Sequence, residues 1–372
     1  MGGQFAGIHD ELRAVVSDLL TKDRPAKADV AWPLLAQTGL VGLEAPESLG
    51  GGGATFEEIA IVLEEMGRAA ARSAYCGGSV LGVGTLISLL PGEGRDALLK
   101  NVVSGAVRTA VALCGDHERA VVDVPFHIQR SGGGLRLHGR SSFAPDAGDA
   151  ARLLLLANDP GGTPVIVDVA TRAPGLCVTA QPVLDQTRRL AAVTADGVPV
   201  DDSSVWRFDG DPEERVRGLY DRACVAVACD SLGLGEAMLA ATVSYAGVRS
   251  QFGRPIGSFQ AVKHACADMF VKVCVSRQLV RAAVTAVADG RPDATEAATM
   301  AKSYACGEAV DVVGKAMQLH GGIGYTWDSG VHVYLKRAAL NRSLFGSPAA
   351  HRKKLAQRYL HHRFDAPTES KS

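Results

Sequence analysis

Residues 249–264 read RSQFGRPIGSFQAVKH and interrupt a long helical pattern with glycine and proline. The stretch presents Arg249, Phe252, Arg254 and Gln260. A guanidinium, an aromatic face and an amide are the groups that hold a phosphorylated, planar cofactor. The sequence therefore predicts a cofactor contact at this break, with a plain turn between two helices as the alternative.

A second break in the same helical region reads QLHGGIGYTW over residues 318–327. Its clustered glycines, Gly321 and Gly322 among them, allow the backbone to approach a ligand closely. The amide of Gln318 can hydrogen-bond to the edge of a base. Either break alone is compatible with an ordinary turn, but the two together in one helical domain favour a binding site.

The composition excludes several classes of protein. The 372 residues carry 39 Lys and Arg against 40 Asp and Glu, and this balance removes the electrostatic case for a nucleic-acid or membrane partner. No uncharged apolar run of about 18 residues and no signal-peptide pattern occurs, so we expect a cytoplasmic protein without a transmembrane helix. The histidines lack metal-ligand spacing, and no CxxC pair occurs among the eight cysteines, so we expect no metal and free thiols.

The pattern of apolar and turn-forming residues changes twice along the chain. Helical patterns at both ends flank a middle part in which short apolar runs alternate with Gly, Pro and Asp, as is typical of strands and turns. Thr55 and Glu58 form a capping box that predicts the start of a helix. We therefore expect an α+β multidomain protein: an N-terminal α-helical domain (1–105), a β-barrel or sandwich-like middle domain (106–210), a four-helix-bundle-like C-terminal domain (211–364) and a polar tail (365–372).

Two other motifs point to chemistry that the rest of the sequence does not support. Gly233 and Gly235 resemble the start of a dinucleotide fingerprint, but the third glycine and the preceding strand are missing. Residues 320–324 resemble the oxyanion loop of esterases, but no GxSxG nucleophile motif accompanies them. Neither a Rossmann dehydrogenase nor a serine hydrolase is therefore expected.

Taken together, the sequence resembles the acyl-CoA dehydrogenase family over nearly its whole length. The likeness includes Trp32, residues 63–67 (LEEMG) and residues 135–139 (LRLHG), and it is most specific in the two glycine-rich stretches. The resemblance implies an α–β–α fold, an FAD cofactor and α,β-desaturation of a CoA thioester. In that reaction a glutamate removes the α-proton while a hydride passes to the flavin. It also implies a tetramer whose flavin lies at a subunit interface.

This chain departs from the family at both positions that hold the catalytic base. The loop in which the family has a glutamate followed by Gly-Thr reads SLFGSP over residues 343–348, so Phe345 stands where the carboxylate should be. The alternative position, near the start of the first long C-terminal helix, is occupied by Ala223. Neither side chain accepts a proton, so the resemblance supplies no catalytic residue. Asp221 and Asp230 remain open as substitutes after a shift of register or pocket.

The segments that a family subunit uses for its own flavin have also changed. The strand that ends in Thr-Glu-Pro in the family reads VALCGDH here, over residues 111–117. The Trp-Ile-Thr/Ser-Asn segment reads SFAPD, so Ala144 and Pro145 replace hydrogen-bonding groups. In contrast, the residues that reach a neighbouring subunit's FAD in this family are retained, and they are Arg249, Phe252, Gln318, Gly321 and Gly322.

This selective loss leads to a hypothesis about the assembly. We expect the non-catalytic subunit of a heteromeric acyl-CoA dehydrogenase, with α2β2 stoichiometry, similar to split pairs of actinobacterial steroid side-chain degradation. A homologous catalytic chain would bring the glutamate and most of the acyl-CoA site. Two alternatives stay open: a self-sufficient homotetrameric dehydrogenase with a relocated carboxylate base, and a non-redox protein that binds CoA esters as a scaffold.

Overall fold

The computed structural model describes residues 4–21, 29–114, 120, 123–327 and 329–364. The N-terminal part of the chain is helical. The polar tail predicted for residues 365–372 lies outside the described residues. A short 3₁₀ turn at Glu47–Leu49 precedes α3, and a π-helix at Tyr75–Val83 (the π-segment) precedes α4. The α-helices are α1 (Gln4–Thr21), α2 (Trp32–Gln37), α3 (Phe56–Arg68), α4 (Gly84–Ile87) and α5 (Glu93–Val103).

Local chemistry explains where α3 begins. The Thr55 hydroxyl accepts a hydrogen bond from the Glu57 amide at 3.1 Å, and the Glu58 carboxylate accepts one from the Thr55 amide at 2.8 Å. These bonds satisfy amide groups that have no partner within the helix, as the predicted capping box requires. Behind the cap, Ile59 and Leu63 lie on the buried face of the helix.

The described residues of the middle of the chain form one eight-stranded sheet. Its strands are β1 (Thr109–Ala112), β2 (Phe126–Ser131), β3 (Gly134–Pro145), β4 (Arg152–Asn158), β5 (Pro164–Ala170), β6 (Leu176–Gln181), β7 (Leu190–Val200) and β8 (Val205–Trp206). The order is β6-β7-β3-β2-β4-β5-β8, and β1 pairs with β4 in parallel. The sheet has its own hydrophobic core on one face, which includes Leu137, Leu153 and Val193. Leu154 and Ile166 instead belong to the hydrophobic core of the helices.

Long helices return after residue 211. Asp211 caps α6, because its carboxylate accepts a hydrogen bond from the Glu213 amide at 2.9 Å. A short hairpin of β9 (Ser250–Gln251) and β10 (Arg254–Pro255) separates α6 from α7. The helices are α6 (Pro212–Val248), α7 (Gln260–Ala288), α8 (Ala294–Leu319), α9 (Val331–Ser343) and α10 (Pro348–Phe364).

Helix α6 is the centre of this helical part. It packs against α7, α8 and α3, and Ala223, Val227 and Leu234 are fully or almost fully buried. Among the described residues it is the one helix long and apolar enough to cross a membrane, but 78% of its most apolar window is buried in the protein. The predicted α–β–α fold class is confirmed, while the exact divisions near residues 105 and 210 stay predictions.

Candidate functional site

Phe345, at the position that the resemblance assigns to the base, is sealed inside the protein. Its side chain lies in the turn between α9 and α10 and is 1% exposed. The ring packs edge-on against Tyr220, with 6.3 Å between centroids. The Phe345 carbonyl accepts hydrogen bonds from the Tyr220 hydroxyl (2.7 Å) and from His351 Nε2 (2.8 Å). The turn is therefore fixed at both its side chain and its backbone.

A buried lysine closes the same turn. Lys302 of α8 is fully buried, and its ammonium group donates to the carbonyls of Asn341 (3.0 Å) and Gly346 (2.9 Å). Gly346 has a φ of 93°, and a Cβ there would lie 3.0 Å from the Ala120 Cα. Ala120 thus packs directly on this turn, and the buried Phe345 ring beside it is surrounded by protein atoms.

Ala223, at the second family base position, is equally inaccessible. It is fully buried in α6, and the thiol of the adjacent Cys224 lies 3.6 Å from the Phe345 carbonyl oxygen. The two family base positions therefore lie close together in space. Arg222 binds the Val80 carbonyl and the Glu44 carboxylate, so the flanking cation is already paired. A substrate carbon cannot reach Ala223 or Phe345 in this arrangement.

The aspartates considered as substitute bases differ from each other. Asp230 is fully buried and bonds Arg337, Arg188 and Asn341. Burial alone would raise the pKa of Asp230, but the charges of Arg337 and Arg188 outweigh it and hold the pKa at about 2. With its oxygens bound by these groups, Asp230 is a poor proton acceptor.

Asp221 is also buried, with its side chain 4% exposed, but it lines the wall of a groove. Its carboxylate accepts a hydrogen bond from the Thr295 hydroxyl at 2.5 Å, and burial raises the pKa of this group. The groove is lined by the N-terminal end of α6, by the end of α4 and by the α7–α8 connection, including Arg291. Of the two aspartates, Asp221 is therefore the one beside a groove, although its side chain is almost fully covered.

The strand ends that hold a family subunit's own flavin are already bonded within this chain. The Phe143 amide donates to the side-chain oxygen of Gln181 at 2.5 Å, and the Ser141 hydroxyl donates to the Cys114 carbonyl at 2.7 Å. Ala144 is buried and has no hydroxyl, and Pro145 has no N–H. These strand ends therefore offer a flavin ring little free hydrogen-bonding capacity.

The π-segment packs against the same strand end. All nine of its residues are buried. A Cβ on Gly77 would lie 2.6 Å from the Pro145 carbonyl oxygen, and one on Gly78 would lie 2.6 Å from the Trp32 ring. Glycine is required here because two other elements approach the backbone this closely. The segment thus covers the end of β3 with protein backbone.

The two glycine-rich stretches, distant in sequence, lie side by side. Tyr245, one turn before Arg249 on α6, stacks on His320 at the end of α8, with 4.5 Å between ring centroids and 19° between ring planes. The Tyr245 hydroxyl also donates to the His320 carbonyl at 3.4 Å. The structure therefore brings the Arg249 stretch and the Gln318 stretch to one surface.

The retained side chains at this surface are open to solvent. Phe252 is 91% exposed and has a φ of 53°, which is strained for a phenylalanine. Arg249 is exposed, and its guanidinium makes no hydrogen bond within the part of the chain that the structure describes. Gln318 accepts from Lys315 at 3.1 Å, which leaves its amide N–H groups as donors. Unused donors and an exposed aromatic face fit a phosphorylated, planar ligand.

The backbone of the second stretch is also accessible. Gly321 has a φ of 61°, and a Cβ on it or on Gly322 would meet nothing within 4 Å. Open space over two consecutive glycines permits close approach of a ligand to the chain. The residues of this surface thus fit the outer part of an FAD molecule, whereas the strand ends and Phe345 do not fit its ring.

Several residues that shape the site carry no local sequence pattern that identifies them. Lys302, His351 and Gln181 act through contacts between elements that lie far apart along the chain. Of these, only Lys302 gives a signal in the sequence: it is a lysine inside an apolar helix, where a charge needs partners. The buried carboxyl of Asp146, which follows Ala144 and Pro145, is a further case.

Asp146 gives the fold a dependence on pH. Its carboxylate accepts a hydrogen bond from the Gly77 amide at 3.0 Å, and burial raises its pKa to about 6 although Arg188 opposes the shift. The folded chain thus holds a proton that the unfolded chain releases near pH 3.8. Stability is therefore lost as the pH rises from about 4 to about 6.

We expect Asp146→Asn to stabilise the protein at neutral pH, because the amide can accept the same bond without a charge. The pKa rise to about 6 corresponds to a gain of about 3 kcal/mol near pH 7, which shrinks to about 0.5 kcal/mol near pH 4. Urea unfolding of both proteins at the two pH values measures it. An equal gain at both would show that the carboxyl does not titrate in this range.

Comparison with known proteins agrees with this architecture. The family model described as acyl-CoA dehydrogenase, N-terminal domain, matches residues 8–106, and that described as acyl-CoA dehydrogenase, C-terminal domain, matches residues 219–360. The acyl-CoA dehydrogenase IpdE2 of Mycolicibacterium smegmatis is 32% identical over 318 residues, which cover 85% of this chain and 84% of that protein. The matches thus span both helical parts.

Solved structures of two-chain assemblies are also similar. The Tcur3481-Tcur3483 steroid ACAD variant has a TM-score of 0.84 and 29% identity, covering 97% of this chain and 100% of its own. The ChsE4-ChsE5 complex from Mycobacterium tuberculosis has a TM-score of 0.84 and 25% identity, covering 97% of this chain and 98% of its own. This chain therefore belongs to the acyl-CoA dehydrogenase family, whose members are FAD-binding oxidoreductases.

Proposed function

We propose that this chain is the non-catalytic subunit of a heteromeric acyl-CoA dehydrogenase and completes the FAD site of a homologous catalytic partner. One contrast carries the proposal. Phe345 is sealed at the base position, while Arg249 and Gln318 are exposed together at one surface. A chain that had simply decayed would be expected to lose both features alike. In an α2β2 assembly, the exposed surface of each copy of this chain would contact one FAD bound by a partner subunit.

The exposed groups define what this chain would do in such a complex. The FAD, when bound, supplies the acceptor for the substrate hydride. The Arg249 guanidinium would pair with its pyrophosphate, and Phe252 would lie against a planar part of the molecule. The glycine backbone at Gly321 and Gly322 and the Gln318 amide would bind the adenosine end. The proton-accepting glutamate and the acyl pocket would come from the partner.

The relatives support a class of substrate. The Tcur3481-Tcur3483 structure is called a steroid ACAD, and both it and ChsE4-ChsE5 are pairs of chains. We propose that the complex desaturates a steroid side-chain CoA ester in the cytoplasm, where its free buried thiols would stay reduced. The partner then sets which ester is accepted, since the acyl pocket belongs to it.

Purification of the chain alone and with its partner tests the proposal. The partner is the acyl-CoA dehydrogenase chain that copurifies with a tagged version from its native cells. We expect the chain alone to be colourless and inactive, because its own flavin and base positions are closed, and the complex to be yellow and to reduce an electron acceptor when given an acyl-CoA. A complex without flavin would favour the scaffold alternative.

The groove position of Asp221 favours one competing function, a homotetramer with a relocated base. In that case the chain alone would bind FAD and turn over, and Asp221→Asn would remove the activity. The proposed split site predicts that the same substitution leaves turnover of the complex within about twofold, because Asp221 contacts Thr295 and no reacting atom. A yellow, active chain without its partner would contradict the proposal.

A further inference from the structure

The two stretches at the exposed surface are joined through one pair of rings. Tyr245 and His320 stack at 4.5 Å between centroids, and the His320 Nδ1–H donates to the Ala316 carbonyl at 2.7 Å. Because a carbonyl only accepts, this bond assigns the proton to Nδ1. The imidazole is thus fixed against its own helix and presents a flat face to Tyr245.

The ring pair lies next to both stretches, so it can affect the position of each. The Arg249 amide donates to the Tyr245 carbonyl at 2.8 Å, so Arg249 begins one helical turn after the stacked ring. His320 lies between Gln318 and Gly321 in sequence. A change in the stack therefore moves the start of one stretch relative to the other, although neither ring is among the groups assigned to FAD.

Other contacts hold each stretch separately but do not join them. Arg254 lies over the Phe259 ring at 4.2 Å, and Phe252 packs edge-on against the same ring at 6.1 Å, all within the first stretch. In the second, a Cβ on Gly324 would lie 2.5 Å from the Met317 carbonyl oxygen, a contact local to the end of α8. Within the part of the chain that the structure describes, the contact of Tyr245 with His320, through the stacked rings and the 3.4 Å hydrogen bond to the His320 carbonyl, thus links the two stretches.

We propose that Tyr245 and His320 are positioning residues that set the spacing of the Arg249 and Gln318 stretches for the partner's FAD. The inference rests on the proposed function. A stacked pair contributes enough free energy to change an equilibrium about 2- to 12-fold, so its loss weakens cofactor retention by that factor without removing any cofactor contact. The rings act as one unit, and removing either has the effect of removing both.

The test measures FAD release from the holo-complex for Tyr245→Leu, His320→Leu, the double variant and Tyr245→Phe. We expect each leucine variant to release FAD about 2- to 12-fold faster and the double variant to match the single ones. Tyr245→Phe is expected to release FAD within about twofold of the unchanged protein, because it keeps the stacked ring and loses only the long hydrogen bond to the His320 carbonyl. The melting temperature of each complex is expected to move by less than about 2 °C.

The outcomes separate this inference from the function on which it rests. If the leucine variants release FAD at the normal rate while the Arg249→Ala complex releases it faster, the positioning role is wrong. The proposed contact of this chain with the partner's FAD is then still supported. Normal release from Arg249→Ala as well would overturn both. If the leucine variants lower the melting temperature in proportion to their faster release, the pair is merely structural and the proposal is wrong.

Discussion

Asp230→Asn is expected to destabilise the chain by about 3–5 kcal/mol at neutral pH. The substitution leaves the guanidinium groups of Arg337 and Arg188 buried without their shared counter-charge. Because the folded pKa of Asp230 is about 2, its contribution is present above pH 3.8 and is lost as the pH falls toward 2. Urea unfolding near pH 7 measures the loss.

A surface ion pair provides the matched control. Asp293 binds Arg291 at 2.7 Å, but both side chains are about half exposed, so Asp293→Asn is expected to cost less than about 1 kcal/mol. If Asp230→Asn were no more destabilising than Asp293→Asn, the buried network would not hold the fold. A stable Asp230→Asn complex that had lost turnover would return Asp230 to the list of candidate bases.

Arg249→Ala is expected to weaken FAD retention by the complex about 10- to 150-fold, because hydrogen bonds to charged groups contribute about 1.5–3 kcal/mol. The fold should be unaffected, since Arg249 is exposed and its guanidinium has no hydrogen-bond partner among the described residues. Titration of FAD into the flavin-depleted complex, with the melting temperature recorded beside it, measures the effect.

Two further variants show whether the loss of FAD affinity is specific to Arg249. Arg130→Ala removes an exposed arginine from β2 and is expected to leave FAD affinity unchanged. Arg249→Lys keeps the charge but not the paired donors of a guanidinium, so an intermediate affinity is expected. Equal affinities for Arg249→Ala and the unchanged complex would remove Arg249 from the cofactor site.

Patterns that are local in the sequence predicted much of the fold. The capping box at Thr55 and Glu58 is confirmed, and so is the change from helices to strands and back. The β domain could be recognised because its turns are marked by Gly, Pro and Asp. Local patterns sufficed wherever the stabilising contacts join residues a few positions apart.

Contacts between distant parts of the chain could not be predicted. Arg337 lies 107 positions from Asp230, and Lys302 lies 44 positions from Gly346, yet these contacts hold the core and close the turn at Phe345. The sequence showed that Phe345 cannot accept a proton, but not that the space beside it is filled. That filling follows from packing, which depends on all the elements together.

The combined picture is of a family fold in which one ligand surface stays open and another is filled by the chain itself. The closing groups are backbone and apolar atoms: the π-segment over β3, and Ala120 against Gly346. The open groups are cationic, aromatic and glycine-rich. Such a division is what a subunit requires if it serves a site on another chain.

The flavin content of the purified complex tests this account most directly. Quantification of FAD against total protein, with the chain ratio fixed by mass, gives the number of flavins per pair of chains. We predict one FAD per pair, because this chain's own site is closed and the partner's site is completed by Arg249 and Gln318. Two FAD per pair would show that this chain holds a flavin of its own and would contradict the split site.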